Sequence, residues 1–166
     1  MAFKTVTVTP SIAAEQFVQG DVLFNPTELK LPNRGAKLTS LFVVDTENQL
    51  NNETLSIYFF QKNTNNLGTA NATADISIAN FRANQFIGVV NMSGSSPGNQ
   101  LDNLNVRFAD RYYDEDDPSP TGGLELPLNS IESGNAIYFS AVISVASTTP
   151  NFTAADSVDF VFGFEY

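Results

Sequence analysis

Residues 157–166 read Ser-Val-Asp-Phe-Val-Phe-Gly-Phe-Glu-Tyr, and their pattern decides the fold class. Large apolar side chains occupy every second position, at Val158, Phe160, Phe162 and Phe164. Successive side chains of a β-strand point to opposite faces, so this period of two predicts a strand with one apolar face. A strand of this kind needs a second layer of structure to cover that face.

Further apolar segments extend the pattern toward the start of the chain. Residues 3–9 alternate valine with threonine, and residues 136–146 form a long, nearly continuous apolar run. Residues 38–45 have the length and β-branched content of a central strand buried on both faces. Residues 55–61 are expected to pair with that strand through a polar, hairpin-like connection.

Turn-forming residues interrupt these segments at several places. Asn25 and Pro26 are interpreted as a break, and residues 11–16 as a short helical turn. A further strand is expected at residues 86–92. Residues 93–103 contain many Ser, Gly and Asn residues and are expected to be loop.

The composition also favours an all-β fold. The 166 residues are rich in Asn, Ser and Thr, which prefer turns to helix interiors, and they include 14 Phe. We predict a single domain over residues 1–166, an antiparallel β-sandwich of eight to ten strands with long loops. A jelly roll is one arrangement that would satisfy this prediction. A loop-rich insert is expected at about residues 92–128.

Three residue types that carry much of enzyme chemistry are missing, namely His, Cys and Trp. The chain therefore has no His general base, no thiolate nucleophile and no Ser-His-Asp triad. Residues 94–98 match the G-x-S-x-G nucleophile elbow, but Pro97 lacks the N–H that an oxyanion hole would need. Two carboxylates could serve a glycosidase, although the Trp platform common in sugar sites is absent. We expect a non-enzymatic protein without cofactor or metal.

The net charge and the short apolar runs argue against nucleic acid and membranes as partners. The chain has 18 acidic and 8 basic side chains, for a net charge of −10, which would repel a nucleic-acid backbone. The apolar runs are too short to span a membrane, and the first residues do not have the pattern of a signal peptide. Many Phe residues with few charges instead favour contact with another protein or with further copies of the chain.

The most acidic stretch is the candidate contact with such a partner. Its residues are Tyr112, Tyr113, Asp114, Glu115, Asp116 and Asp117. A solvated acidic loop is the plain interpretation, and a calcium site is another, although the spacing lacks the register of a calcium-binding loop. Contact with a basic partner surface is the third.

A resemblance to a known group of proteins rests on the order of the strand and turn segments, such as Leu41-Phe42-Val43-Val44-Asp45. The segments that carry it are 20–23, 35–45, 55–60, 86–90, 137–143 and 156–162. Together they resemble small structural proteins of tailed bacteriophages that are similar to capsid decoration, or cement, proteins. The resemblance covers most of the chain from about residue 17, but not the insert.

This resemblance implies a virion structural protein, made in the host cytoplasm, that binds the major capsid protein from outside and stabilises the head. It also implies self-association on the capsid surface. The alternative is a carbohydrate-binding or adhesion module, such as part of a tail fibre or a lectin, because Asn, Asp and Tyr residues in sandwich loops suit sugar hydroxyls.

Overall fold

The segments with a period of two fold as strands in the computed structural model, which describes residues 1–94, 98–101, 104–109 and 124–166. These residues form ten strands and one six-residue helix. The elements are β1 (Phe3–Val8), β2 (Val22–Lys30), β3 (Gly35–Asp45), β4 (Thr54–Phe60), α1 (Ile78–Ala83), β5 (Phe86–Met92), β6 (Gly98–Leu101), β7 (Leu104–Ala109), β8 (Leu126–Asn129), β9 (Ala136–Val145) and β10 (Val158–Glu165). None of the described helical residues form a helix that could cross a bilayer.

The strands form two antiparallel sheets packed face to face, which confirms the predicted β-sandwich. One sheet has the order β1-β10-β3-β7-β6, with β8 also paired to β3, and the other has the order β2-β9-β4-β5. This is the strand order of an eight-stranded jelly roll in which β7 and β8 together take the place of one strand along β3. Strands β4 and β5, and likewise β6 and β7, follow one another in the chain and pair within one sheet, whereas most other connections cross between the sheets.

The expected pairing of residues 38–45 with 55–61 is wrong, because β3 and β4 lie in different sheets. The connection between them turns Leu50 and Glu53 inward at the end of the sandwich, where both are fully buried. It thus bridges the roughly 10 Å gap that separates packed sheets instead of making a tight hairpin. The polar composition of residues 46–53 did not reveal these two inward contacts.

The core lies between the sheets and is dominated by phenylalanine. Val158, Phe160, Phe162 and Phe164 are all buried on the inner face of β10, as their alternation predicts. Phe139 of β9 packs edge-on against Phe160 and Phe162, with ring centroids 5.4 and 4.9 Å away. Such edge-to-face pairs add to the stabilisation gained by burial.

Four other expectations need correction. The strand at 38–45 is buried on one face only, since Phe42 is exposed. Residues 93–103 are not all loop, because β6 lies within them. The expected helical turn at 11–16 is absent, and that segment bends without helix. Pro26 does not end a strand, because β2 is an edge strand whose register shifts between Phe24 and Thr27, where a missing N–H is tolerated.

Candidate interaction surface

The outer face of the six-stranded sheet is the candidate interaction surface. The register sets its rows: Thr7 lies opposite Val161, which lies opposite Phe42, which in turn lies opposite Phe108. A neighbouring row contains Val44 of β3 and Val106 of β7. Residues directly opposite one another in an antiparallel pair lie on the same face, so these side chains form one continuous surface.

An apolar patch occupies the centre of this face, and we define it as Phe42, Val44, Val106, Phe108 and Val161. All five are half-buried or exposed, and 37% of Phe42 is accessible. The rings of Phe42 and Phe108 lie 6.0 Å apart. A contiguous exposed apolar patch on a sheet is typical of a site for contact with another protein.

The orientation of β7 makes the patch possible. This strand turns Asn105, Arg107 and Ala109 toward the interior and Val106 and Phe108 outward, so its polarity is the reverse of an ordinary surface strand. Placing a guanidinium inside and a phenyl ring outside costs free energy in an isolated molecule. Contact of the outer side chains with a partner would recover part of that free energy.

The reversal is stabilised by hydrogen bonds to the Arg107 guanidinium. It donates to the carbonyl oxygens of Leu50 and Glu53, at 2.8 and 2.6 Å, and to that of Ser93. Burial lowers the pKa of Arg107, and the nearby carboxylates of Glu53 and Asp45 oppose this change. Arg107 therefore ties the β3–β4 loop and the segment that follows β5 to β7 at one end of the sandwich.

Carboxylates fix the same end of the sandwich. The Glu53 carboxylate accepts hydrogen bonds from the backbone N–H and hydroxyl groups of Ser147 and Thr148. The Glu47 carboxylate accepts from Thr153, Ala154 and Ser157. Partial burial works to raise the pKa of Glu47, but these hydrogen bonds outweigh it and the pKa is lowered.

Asp45 lies beneath these loops at the end of β3 and is almost fully buried. Burial raises the pKa of Asp45, although the N–H groups of Leu50 and Glu47 donate to its carboxylate at 2.6 and 3.0 Å. Asp45, Glu47, Glu53 and Arg107 are therefore used to order the loops at this end.

Charged side chains border the apolar patch on two sides. Lys37 lies between Glu125 and Glu165, with nitrogen-to-oxygen distances of 3.3 and 3.2 Å. Hydrogen bonds to Glu165 and then Glu125 raise the pKa of Lys37. Asp159 lies on the other side of the patch, opposite Val44. The border of this face is consequently acidic, with Lys37 as a cation between two carboxylates.

The outer face of the four-stranded sheet is covered by the chain itself. We call residues 61–85 the roof, because they fold back over β4 and β9 between β4 and β5. Leu67 of the roof packs with Phe60, Val22 and Val142, and Phe81 lies edge-on to Phe60 at 5.4 Å. The roof converts this outer face into a second, smaller core.

Two asparagines hold the roof in place. The Asn84 side chain is fully buried, accepts from the N–H groups of Thr64 and Asn65, and donates to the Asn65 carbonyl at 2.7 Å. The Asn25 side chain accepts from Leu67 N–H at 3.0 Å and donates to the Gly68 carbonyl at 2.9 Å. Asn25, interpreted from the sequence as part of a break, therefore anchors the roof.

Part of the four-stranded sheet extends beyond the roof and carries a groove of about 470 Å³. Its walls are Thr54, Ser56, Asn91, Ser93 and Ser144. The Ser56 hydroxyl donates a hydrogen bond to Asn91 Oδ1 at 2.9 Å, and Thr54 Oγ1 accepts one from the Gly94 N–H at 3.0 Å. The groove has no charged side chain in its walls, and its hydroxyl and amide groups lie within a mostly apolar lining, a mixture that suits a neutral ligand with both hydroxyl groups and apolar faces.

The residues singled out by the sequence as partner contacts lie outside the described residues: Tyr112, Tyr113, Asp114, Glu115, Asp116 and Asp117. So does Ser96 of the apparent nucleophile elbow. The strands on either side of the acidic stretch are described: Ala109 pairs with Leu41, and Leu126 pairs with Leu38. Both positions adjoin β3, next to the apolar patch. Among the described residues, no group of three acidic side chains is arranged to hold a metal ion.

Sequence reasoning did not find the apolar patch or Arg107. The alternation in β7 was visible, but no rule of alternation tells which of its two faces turns inward. The one available signal was the isolated Arg107 within an apolar strand, beside the acidic residues of neighbouring loops.

Comparisons with known proteins give no basis for assigning a function, so the interpretation of this surface rests on its geometry. No family model and no curated protein matches the chain. A solved structure, "Structure of infectious bursal disease virus Gx strain", is 13% identical with a TM-score of 0.20, over 98% of this chain and 40% of that chain. The chain thus spans less than half of that chain, and a similarity this low carries no argument about function.

Proposed function

We propose that the protein is a non-enzymatic virion structural protein, a capsid decoration or cement protein that binds the outside of the major capsid lattice. The observation that carries this proposal is the apolar patch on the six-stranded sheet, which no described segment of the chain covers. A flat sheet face with an apolar centre and a charged border has the anatomy of a protein interface.

The mechanism is binding to the assembled shell in preference to its free subunits. A ligand that binds one state only stabilises that state by RT ln(1 + [L]/Kd), and many symmetric copies multiply the effect. Burial of the patch contributes roughly 25 cal/mol per Å² of apolar surface removed from water. The acidic border around Asp159, Glu125 and Glu165 favours a partner surface with basic residues around an apolar centre.

The acidic stretch remains a sequence-based candidate for the same contact. The described strands on either side of this stretch, β7 ending at Ala109 and β8 beginning at Leu126, both pair with β3. A second negatively charged contact beside the apolar patch would add attraction to a basic capsid surface. Self-association on the capsid and a location on the virion exterior, after synthesis in the host cytoplasm, belong to the same proposal.

The test is binding to capsids of the same phage that lack this protein. Purified protein is mixed with such capsids and with their unassembled subunits, and co-sedimentation is measured. We expect saturable binding to capsids at a fixed number of copies per subunit, and recovery of the protein from purified virions at high copy number. Its absence from virions together with no binding to capsids would contradict the proposal.

The uncharged groove favours a second candidate, a carbohydrate-binding or adhesion module. Its hydroxyl and amide lining can donate and accept hydrogen bonds without charge, as sugar hydroxyls require. A glycan array probed with the wild-type protein and with Asn91→Leu tests this candidate. Binding that Asn91→Leu abolishes, together with a low copy number in virions, would favour adhesion over decoration.

A further inference from the structure

Strand β1 forms one edge of the six-stranded sheet. Strand β1 pairs with β10 on one side, and no strand of the described chain pairs with it on the other. We propose that β1 pairs antiparallel with β1 of a second copy, which joins two six-stranded sheets into one across a two-fold axis. The inference deepens the proposed self-association, and it is tested on the isolated protein.

The hydrogen bonds at the start of the chain show which backbone groups are available. Ala2 and Tyr166 exchange two hydrogen bonds, of 2.9 and 3.0 Å. Hydrogen-bonded and non-hydrogen-bonded pairs alternate along an antiparallel ladder, and the β1–β10 register is unbroken from Phe3 to Val8. Lys4, Val6 and Val8 therefore bond to β10.

The remaining residues of β1, namely Phe3, Thr5 and Thr7, direct their N–H and C=O groups away from β10 to the open edge. Proteins usually protect such an edge with charges, proline, a bulge or a covering segment. Strand β1 has Lys4 as its charged residue, contains no proline, and leaves Phe3, Thr5 and Thr7 exposed. Its edge is thus a regular row of donors and acceptors.

The edge of β1 is complementary to itself. When Thr5 lies opposite Thr5 of the second copy, Phe3 lies opposite Thr7 in both directions, and these three pairs consist of outward-facing residues. Each such pair exchanges two hydrogen bonds, which gives about six in all. Lys4 then lies opposite Val6, so no like charges face each other, and threonine continues to line the outer face.

The charge distribution is compatible with pairing at this edge. The chain has a net charge of −10, yet residues 1–14 contain no carboxylate and Lys4 is their one charged side chain. Two copies therefore meet with little repulsion at β1 itself, and salt is expected to strengthen the pairing by screening the repulsion between the remaining charges.

The expected pairing is weak in free solution and strong on a surface. One strand pair buries much less than the roughly 1,200–2,000 Å² of a standard stable interface. Copies held side by side on a lattice experience an effective concentration in the millimolar range, at which weak pairing is substantial. Continuity of the sheet would place the apolar patches of two copies on one extended surface.

Charge-reversal variants at Thr5 test the two-fold register. Thr5→Glu and Thr5→Lys each place like charges opposite one another at the axis, whereas an equal mixture places opposite charges there. Because Thr5 is exposed, both variants are expected to fold, which circular dichroism verifies. Sedimentation equilibrium at up to millimolar protein, with and without added salt, measures association.

We expect wild-type dimers, association weakened about tenfold or more in each variant alone, and recovery in the mixture. Thr5→Ala keeps the backbone N–H and serves as the control that should associate like the wild type. A wild-type protein that stays monomeric, a variant that associates normally, or a mixture that does not recover would each overturn the inference. Capsid binding is measured separately, so its failure is distinguishable from failure of β1 pairing.

Discussion

The two outer faces of the sandwich differ in what covers them. The four-stranded sheet places Phe60 and Tyr58 under the roof, where Phe60 is fully buried. The six-stranded sheet places Phe42 and Phe108 side by side in its own outer face, yet no described segment lies over Phe42. Aromatic residues on the first face stabilise the fold, and those on the second are available for binding.

The same difference distinguishes residues that stabilise the fold from residues that are available to bind a partner. A buried aromatic side chain contributes about 1.5–3 kcal/mol through burial, whereas a partly exposed one contributes less. An exposed apolar patch contributes little to folding and increases the risk of aggregation, so it needs another explanation. On this interpretation the roof serves the fold, and the apolar patch serves a partner.

The largest expected effect compares one phenylalanine from each face. Phe60→Ala should lower the free energy of unfolding by about 3–5 kcal/mol, because it leaves a cavity beneath the roof. Phe42→Ala should lower it by about 1 kcal/mol or less, since its ring is partly exposed. Urea unfolding measures both, and equal losses would contradict the distinction between the two faces.

A smaller effect is expected at the hydrogen bonds that hold the roof. Asn84→Ala removes an acceptor and a donor that satisfy buried backbone groups of Thr64 and Asn65, so we expect a loss of about 1–3 kcal/mol. Asn80→Ala, at an exposed position of α1, is the matched control and should be close to neutral. Faster hydrogen exchange confined to residues 61–85 in Asn84→Ala would confirm local opening of the roof. An unchanged exchange rate would show that Asn84 does not anchor it.

The smallest expected effect is at Glu47, which orders loops at one end of the sandwich. Glu47→Gln should destabilise the protein by about 1–2 kcal/mol near neutral pH, because charged acceptors bond more strongly than neutral ones. The pKa of Glu47 is lower in the folded protein than in the unfolded chain, so its contribution is present above about pH 4.3 and disappears as the pH falls through the folded value. The pKa of Asp45 is shifted in the opposite direction, but Asp45 is present in both the wild type and Glu47→Gln. Its effect therefore cancels in the difference between their unfolding free energies.

Unfolding free energies of wild type and Glu47→Gln, measured across this range, should therefore converge in acid. A difference that persists unchanged at low pH would show that the ionised carboxylate is not what stabilises the loop. Capsid binding should be the same for both proteins near neutral pH, because Glu47 belongs to neither outer face.

Local patterns in the sequence sufficed to predict most of the strands and the two-layer architecture. The alternation of Val158 to Phe164 identified an inner face, and the long apolar run of β9 identified a strand buried on nearly every side. The pairing of β3 with β10 and β7 could not be predicted in this way, because jelly-roll neighbours are distant in sequence. Topology depends on crossovers that local patterns do not encode.

The candidate surface was still less predictable. Its position depends on which face of β7 turns inward, and hydrogen bonds from Arg107 to Leu50 and Glu53 carbonyls decide that choice. Those carbonyls belong to a loop more than fifty residues away in the chain. The aromatic excess was visible in the composition, but its division between a roofed face and an uncovered face was not.

The most direct test of the central claim is a pair of aspartate substitutions at exposed apolar residues, one on each face. Phe42→Asp lies in the apolar patch, and Ile78→Asp lies on the roof, where the isoleucine is 72% exposed. Binding of both variants to capsids that lack the protein is measured by co-sedimentation. We expect Phe42→Asp to lose at least about tenfold in affinity, since a charge must be desolvated on binding, and Ile78→Asp to bind like the wild type. Normal binding by Phe42→Asp, with both variants folded, would contradict the assignment of the uncovered face as the docking surface.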